Sequence, residues 1–135
     1  MSKPSLTERD IQETCSEFLV LDGWRRVRTD LPRLRGMGVQ EKGMADDLYI
    51  RYAGPSRKPE PHDTRVNALH LSASDVLWIE WKRRTGRVAA RQHAWHAAER
   101  ARGALTLIAG IDFTADISGF YAWYFASGLN RRMKA

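Results

Sequence analysis

With only one cysteine, Cys15, the chain cannot form an internal disulfide and has too few thiolates for a Cys-based zinc site. Long apolar stretches are missing too. The clean apolar runs are short, such as Phe18-Leu19-Val20-Leu21, whereas a spanning helix needs about 20 apolar residues, so a transmembrane segment is excluded. The first residues, Met-Ser-Lys-Pro-Ser, lead into acids without the apolar stretch of a secretory signal; a cytoplasmic location is expected. No internal repeat or low-complexity tract is found. The length, 135 residues, and a composition 43% hydrophobic and 28% charged fit a single globular domain over 1–135.

Positive charge is in excess. Lys and Arg number 22 against 16 Asp and Glu, a net +6. On a small domain this favours an anionic partner, nucleic acid first. The basic residues are clustered: Arg25, Arg26, Arg28, Arg33 and Arg35; Lys82, Arg83, Arg84, Arg87 and Arg91; and a tail of Arg131, Arg132 and Lys134. Part of each cluster can also be a solvated face.

The periodicity reads as an α/β chain. Ser5-Leu6-Thr7-Glu8 has the form of a capping box, and Ile11, Cys15, Phe18 and Leu19 follow at helical spacing up to a stop at Gly23. Glu8 shares the apolar stripe of this helix, while Glu13 and Glu17 lie off it and read as solvated. Residues 24–28 form a plausible strand. From 45 to 53 the pattern alternates, with Asp46, Leu48, Ile50 and Tyr52 on one face. Residues 54–75 read as an insertion loop with three prolines, Pro55, Pro59 and Pro61; 66–71 within it is a possible short strand. Val76-Leu77-Trp78-Ile79 is apolar on both faces, as in a central strand covered on both sides, and continues as Glu80-Trp81-Lys82. A helix over 88–102, a buried strand over 104–109 and an amphipathic helix from 117 complete the chain. The aromatic stripe Phe120, Tyr121, Tyr124 and Phe125 reads as core or interface. The expected architecture is a mixed sheet flanked by helices, in the order α-β-β-β-α-β plus a C-terminal helix.

Three polar residues interrupt this apolar logic. Asp46 lies on a strand face with Leu48 and Ile50. Glu80 and Lys82 end the most apolar strand and point the same way, roughly 7 Å apart along the backbone. Buried charge needs a partner or a metal. Asp46 and Glu80 on neighbouring strands can offer two carboxylates to a hard cation, with the Trp81 backbone carbonyl as a third oxygen; Mg²⁺ suits such a set. Asp47 competes for the ligand role but points to the opposite face of a regular strand. The alternatives are a strand-edge acid satisfied by backbone amides for Asp46 and a structural salt bridge for Glu80 and Lys82.

Acid, acid and lysine in this arrangement resemble the PD-(D/E)xK nuclease core, and more closely its VRR-NUC (virus-type replication-repair nuclease) family. The likeness spans most of residues 7–110. It rests on Thr7-Glu8 with Gln12, Gly43-Met44-Ala45-Asp46, Trp78-Ile79-Glu80-Trp81-Lys82, Gln92-His93-Ala94-Trp95, and Gly103 before the apolar strand. Ala45 stands where the family usually has proline, and the segment from Asp46 to Glu80 is long.

The resemblance implies a restriction-endonuclease-like core and a Mg²⁺- or Mn²⁺-dependent endonuclease. The metal would be held by Asp46, Glu80, the Trp81 carbonyl and Glu8. Lys82 would hold the attacking water or stabilise the transition state, and Gln92 would support the site. Arg25, Arg28, Arg83, Arg84 and Arg87 would grip the DNA backbone. The substrate it implies is branched DNA of the Holliday-junction kind, cut by a homodimer. Glu8 can instead be the capping partner of Ser5, and Gln92 a plain surface residue. His93 and His96 read as exposed helix positions rather than ligands. A non-catalytic DNA-binding module and a restriction- or defence-type endonuclease are the competing functions.

Overall fold

The computed structural model describes residues 6–29, 41–52 and 74–134. The possible strand at 66–71, Arg33, Arg35 and nearly all of the 54–75 insertion lie outside them. The elements run α1 (Glu8–Leu21), β1 (Arg25–Arg28), β2 (Asp47–Tyr52), β3 (Ser74–Glu80), α2 (Ala90–Ala101), β4 (Leu105–Ile108) and α3 (Ile117–Ser127). The strands form one mixed sheet in the order β1-β2-β3-β4. The pairs β1–β2 and β2–β3 are antiparallel, whereas α2 crosses over so that β4 lies parallel to β3. No helix among the described residues is long and apolar enough to cross a membrane.

Helix α1 starts two residues later than the capping-box reading placed it. Thr7 is the N-cap: its hydroxyl accepts from the Asp10 amide at 3.1 Å, and Asp10 returns a bond to the Thr7 amide at 3.0 Å. The Ser5–Glu8 box is thereby corrected, and Glu8 opens the helix instead of closing a box. The apolar stripe of α1 packs on one sheet face with α3. Phe18 makes edge contacts with Phe120, Tyr124 and Phe125, and the core continues through Leu77, Ile79, Trp81 and Leu107. The α3 stripe is therefore core. That helix is capped by Asp116, which accepts from the Gly119 amide at 2.6 Å, and it ends at Gly128 with φ +80°.

Burial on the two sheet faces is unequal, which corrects two expectations. Along β2 the buried residues are Asp47, Tyr49 and Arg51, while Leu48 and Ile50 are half-buried and Tyr52 is exposed. The deep face is thus that of Asp47, not that of Asp46. Likewise β3 is not covered on both sides along its length, because Val76 is 43% exposed. Cover on the second face comes from α2, where Trp95 meets Trp78 with ring centres 5.1 Å apart. His96, expected on the outside of α2, is instead buried against Thr106 of β4.

At the end of the sheet where β2 finishes, Asp22 anchors the chain's last segment. Buried completely, it accepts from the amides of Arg131, Arg132 and Met133, from the Tyr124 hydroxyl and from Arg51. Burial works to raise the Asp22 carboxyl's pKa, but these donors outweigh it and hold the group below the usual range. Arg51, buried beneath the Trp24 ring, also reaches Asp75 and the Leu129 carbonyl.

Candidate active site

Strand register decides which acids can meet. Asp47 pairs with Ile79 and Leu48 with Trp78. Continuing that register by one position sets Asp46 opposite Glu80 on the α2 side of the sheet, since paired residues share a face. Asp46 sits just before β2, and its Oδ2 accepts from the Trp81 amide at 2.9 Å. The peptide after Glu80 is thus tied to the first acid, which brings the Trp81 backbone to the acid pair.

Glu80 is 2% exposed. Its Oε1 accepts from Gln92 Nε2 at 2.5 Å and lies 3.4 Å from Lys82 Nζ. Its Oε2 is buried and has no hydrogen-bond partner among the described residues. Burial, the charge of Asp46 and, to a smaller degree, that of Glu8 push this carboxyl up to about 8, against the pull of Lys82. Glu8 therefore acts on Glu80 from the first turn of α1. Gln92 is fixed in orientation, because its Oε1 accepts from the Ala89 amide at 2.9 Å and leaves the NH₂ for Glu80. The structure brings together Asp46, Glu80, Lys82, Gln92 and the Trp81 backbone, with Glu8 acting on them through its charge and not as a third converging acid.

The loop carrying Asp46 is seated on α2. Gly43 has φ +80°, and a Cβ there would lie 2.1 Å from the Arg91 carbonyl. Only glycine permits both this backbone angle and this approach. Trp95 Nε1 donates to Glu41 at 2.8 Å in the same loop.

Asp47 does other work. It is fully buried and accepts from Gln12 Nε2 (3.0 Å), Arg26 Nε (3.1 Å), the Tyr49 hydroxyl (3.0 Å) and Trp81 Nε1 (2.8 Å). Arg26 also spans to Glu13 at 3.0 Å, so Glu13 is a partner in this network and not the solvated acid its phase suggested. Trp81 is held at both ends, its amide by Asp46 and its indole by Asp47. Period-two spacing put Asp47 on the opposite face; the density of donors around it left no mark in the sequence beyond Arg26 lying on an adjacent strand.

The arginines divide by position. Arg83, Arg84 and Arg87 are exposed on the loop directly after Lys82, and Arg84 reaches Asp116 at 3.4 Å. Arg28 stands at the site end of β1, opposite Asp47, with Glu13 3.9 Å away. Arg25 pairs with Ile50, three residues and roughly 10 Å further along the strand, with its guanidinium on the Tyr52 hydroxyl.

Among the described residues no set of three or more His, Cys, Asp or Glu side chains converges closely enough to cage an ion. Mg²⁺ requires less, since it keeps several waters and commonly uses one or two carboxylates. An all-oxygen pair with one buried, unpartnered carboxylate oxygen fits that ion. Comparison of the chain with protein-family models, with curated proteins and with solved structures gave no match.

Proposed function

We propose that the protein is a metal-dependent endonuclease that hydrolyses phosphodiester bonds in branched DNA, resembling the VRR-NUC branch of the PD-(D/E)xK nucleases. One observation carries this reading: Asp46 and Glu80 face each other in register, Lys82 and Gln92 both reach Glu80, and Glu80 keeps one buried oxygen without a partner among the described residues. A structural salt bridge explains the contact of Lys82 with Glu80. It does not explain a buried Glu80 oxygen left, among the described residues, without a hydrogen-bond partner, which is costly unless a ligand completes it. The element order α-β-β-β-α-β, with both acids at one sheet end, also supports the reading.

Asp46, Glu80 and the Trp81 carbonyl would hold Mg²⁺ or Mn²⁺, with Glu8 contributing charge from α1. Such an ion, when bound, lowers the pKa of a coordinated water and neutralises charge on the phosphate. The chain's own groups do the rest. Gln92 fixes the Glu80 carboxylate. Lys82 places an ammonium where charge develops on phosphorus. Arg83, Arg84 and Arg87 supply backbone contacts beside the cut, and a homodimer would present two such sites to the two strands of a junction.

The test is Mg²⁺-dependent cleavage of junction, flap, single-stranded and linear duplex DNA. Glu80→Gln and Lys82→Ala should each lower cutting of branched substrates by at least about a thousandfold, with DNA affinity nearly unchanged. Binding without cleavage in the wild-type chain would make it a DNA-binding module. Sequence-selective cutting of linear duplex would make it a restriction-type enzyme.

A further inference from the structure

We infer that the cleft between the loop after Lys82, the start of α1 and the start of α3 is a binding site for one unpaired nucleotide of a DNA strand next to the cut. This deepens the nuclease reading and rests on it. The cleft has a volume of about 600 Å³, within the range of small-ligand pockets. It adjoins the candidate site at two points. Thr7 lines it and precedes Glu8; Arg83 and Arg84 line it and follow Lys82.

Its walls are of two kinds. Ile11, Ala115 and Ile117 give an aliphatic floor, while Thr85 and Ser118 set hydroxyls at the rim with the two guanidiniums. That pairing suits a base laid on an apolar surface with its phosphate held by arginine. Among the described residues no aromatic ring and no amide side chain lines the cleft, and the two groups there that can pair with a base edge, Arg83 and Arg84, are assigned to the phosphate. Its selectivity would be for an unpaired base rather than for a sequence. A duplex turns its bases inward, whereas a flap, a junction arm end or a single strand can lend one to a cavity. Arg84 is available for a phosphate, because its contact with Asp116 is made with 77% of its side chain exposed, and such pairs are weak. The single acid among the described residues of the cleft, Asp116, is already committed to the α3 cap.

The experiment uses the full chain carrying Glu80→Gln, so that binding is read without cutting. Fluorescence anisotropy is measured with a labelled oligo-dT of twelve nucleotides and with a blunt duplex. Ser118→Leu, which fills part of the cleft from an exposed position with a side chain that cannot stack on a base, should weaken oligo-dT about tenfold and leave the duplex within about twofold. Equal weakening of both, no weakening of either by a folded variant, or no oligo-dT binding by the parent overturns the site. Should Ser118→Leu fail to fold, photo-crosslinking of 4-thiothymidine oligo-dT to the otherwise unaltered Glu80→Gln chain decides. Adducts on 83–85 or 115–118 support the site, and adducts elsewhere alone overturn it. The two claims fail separately. Cleft-dependent binding by a wild-type chain that cuts no DNA removes the nuclease and keeps the site. Cutting with no response of oligo-dT to the cleft variant does the reverse.

Discussion

Asp46 and Asp47 are adjacent acids with opposite environments, and strand alternation is the whole reason. Asp47 is turned into the deep face, where donors from α1, β1, β2 and the Trp81 indole satisfy it; Asp46 is turned toward Glu80. Asp47→Ala leaves the Arg26 guanidinium half-paired and strips the Trp81 indole of its acceptor. It should cost about 3 kcal/mol in urea unfolding. Asp46→Asn keeps an oxygen for the Trp81 amide and should cost less than about 1 kcal/mol while removing cleavage. Equal losses in the two variants would contradict this division. His96 gives a pH prediction at the same scale. Burial, then the nearby Arg100, lowers its pKa to about 4 from an ordinary 6.5. The folded chain thus binds fewer protons than the unfolded one between those values. Stability is full above the upper value and falls as pH drops toward the lower. The slope should account for on the order of 1 to 2 kcal/mol between pH 7 and pH 5. In His96→Gln, chemical denaturation at the two pH values should show that slope reduced by this amount.

At the level of elements, what was legible in the sequence was whatever periodicity encodes. The helices, the strands at 24–28, 45–53 and 76–79, and the aromatic stripe of α3 followed from spacing alone, with ends moved by one or two residues. The meeting of Asp46 with Glu80 depended on strand pairing, which spacing does not state. The α1 cap was misplaced because Ser5 and Thr7 are equally good cap residues, and only the fold shows Asp10 answering Thr7. The unequal sheet faces were hidden for a related reason: Leu48, Ile50 and Val76 are as apolar as residues of the deep face, yet α2 does not cover them fully. Two tertiary joints left no local signal. One is Asp22 gathering the 131–133 amides across about a hundred residues of sequence. The other is Gly43 against Arg91. Gly43→Ala meets the Arg91 carbonyl and a left-handed backbone angle together, so the 41–46 loop must lift from α2 and take Asp46 with it. Cleavage should fall by at least about a hundredfold, since an ångström of misplacement costs that much. Far-ultraviolet circular dichroism should remain that of the parent, because the helices and the sheet pairing beyond Asp47 do not depend on this contact.

Over the whole molecule, the excess of positive charge is not spread evenly around the proposed site. Arg83, Arg84 and Arg87 project from the loop that follows the acid pair, whereas Arg25 stands roughly 10 Å along β1, at the end of the sheet remote from Glu80. A strand whose phosphate lies at Asp46 and Glu80 passes the first group by continuity of the chain. It reaches Arg25 only if the DNA also crosses the sheet along β1. Counterion release makes these paths measurable. Each phosphate contact contributes about −0.9 to the slope of log affinity against log salt on duplex DNA. In the Glu80→Gln background, Arg87→Ala should therefore reduce that slope by about 1 on a four-way junction. Arg25→Ala should leave it unchanged if the DNA follows the 83–87 loop alone, and should reduce it by a similar amount if the junction spans β1 as well. An Arg87→Ala slope equal to that of the parent would place the DNA path elsewhere, and would remove the basic loop from the proposed interface whatever the acids do.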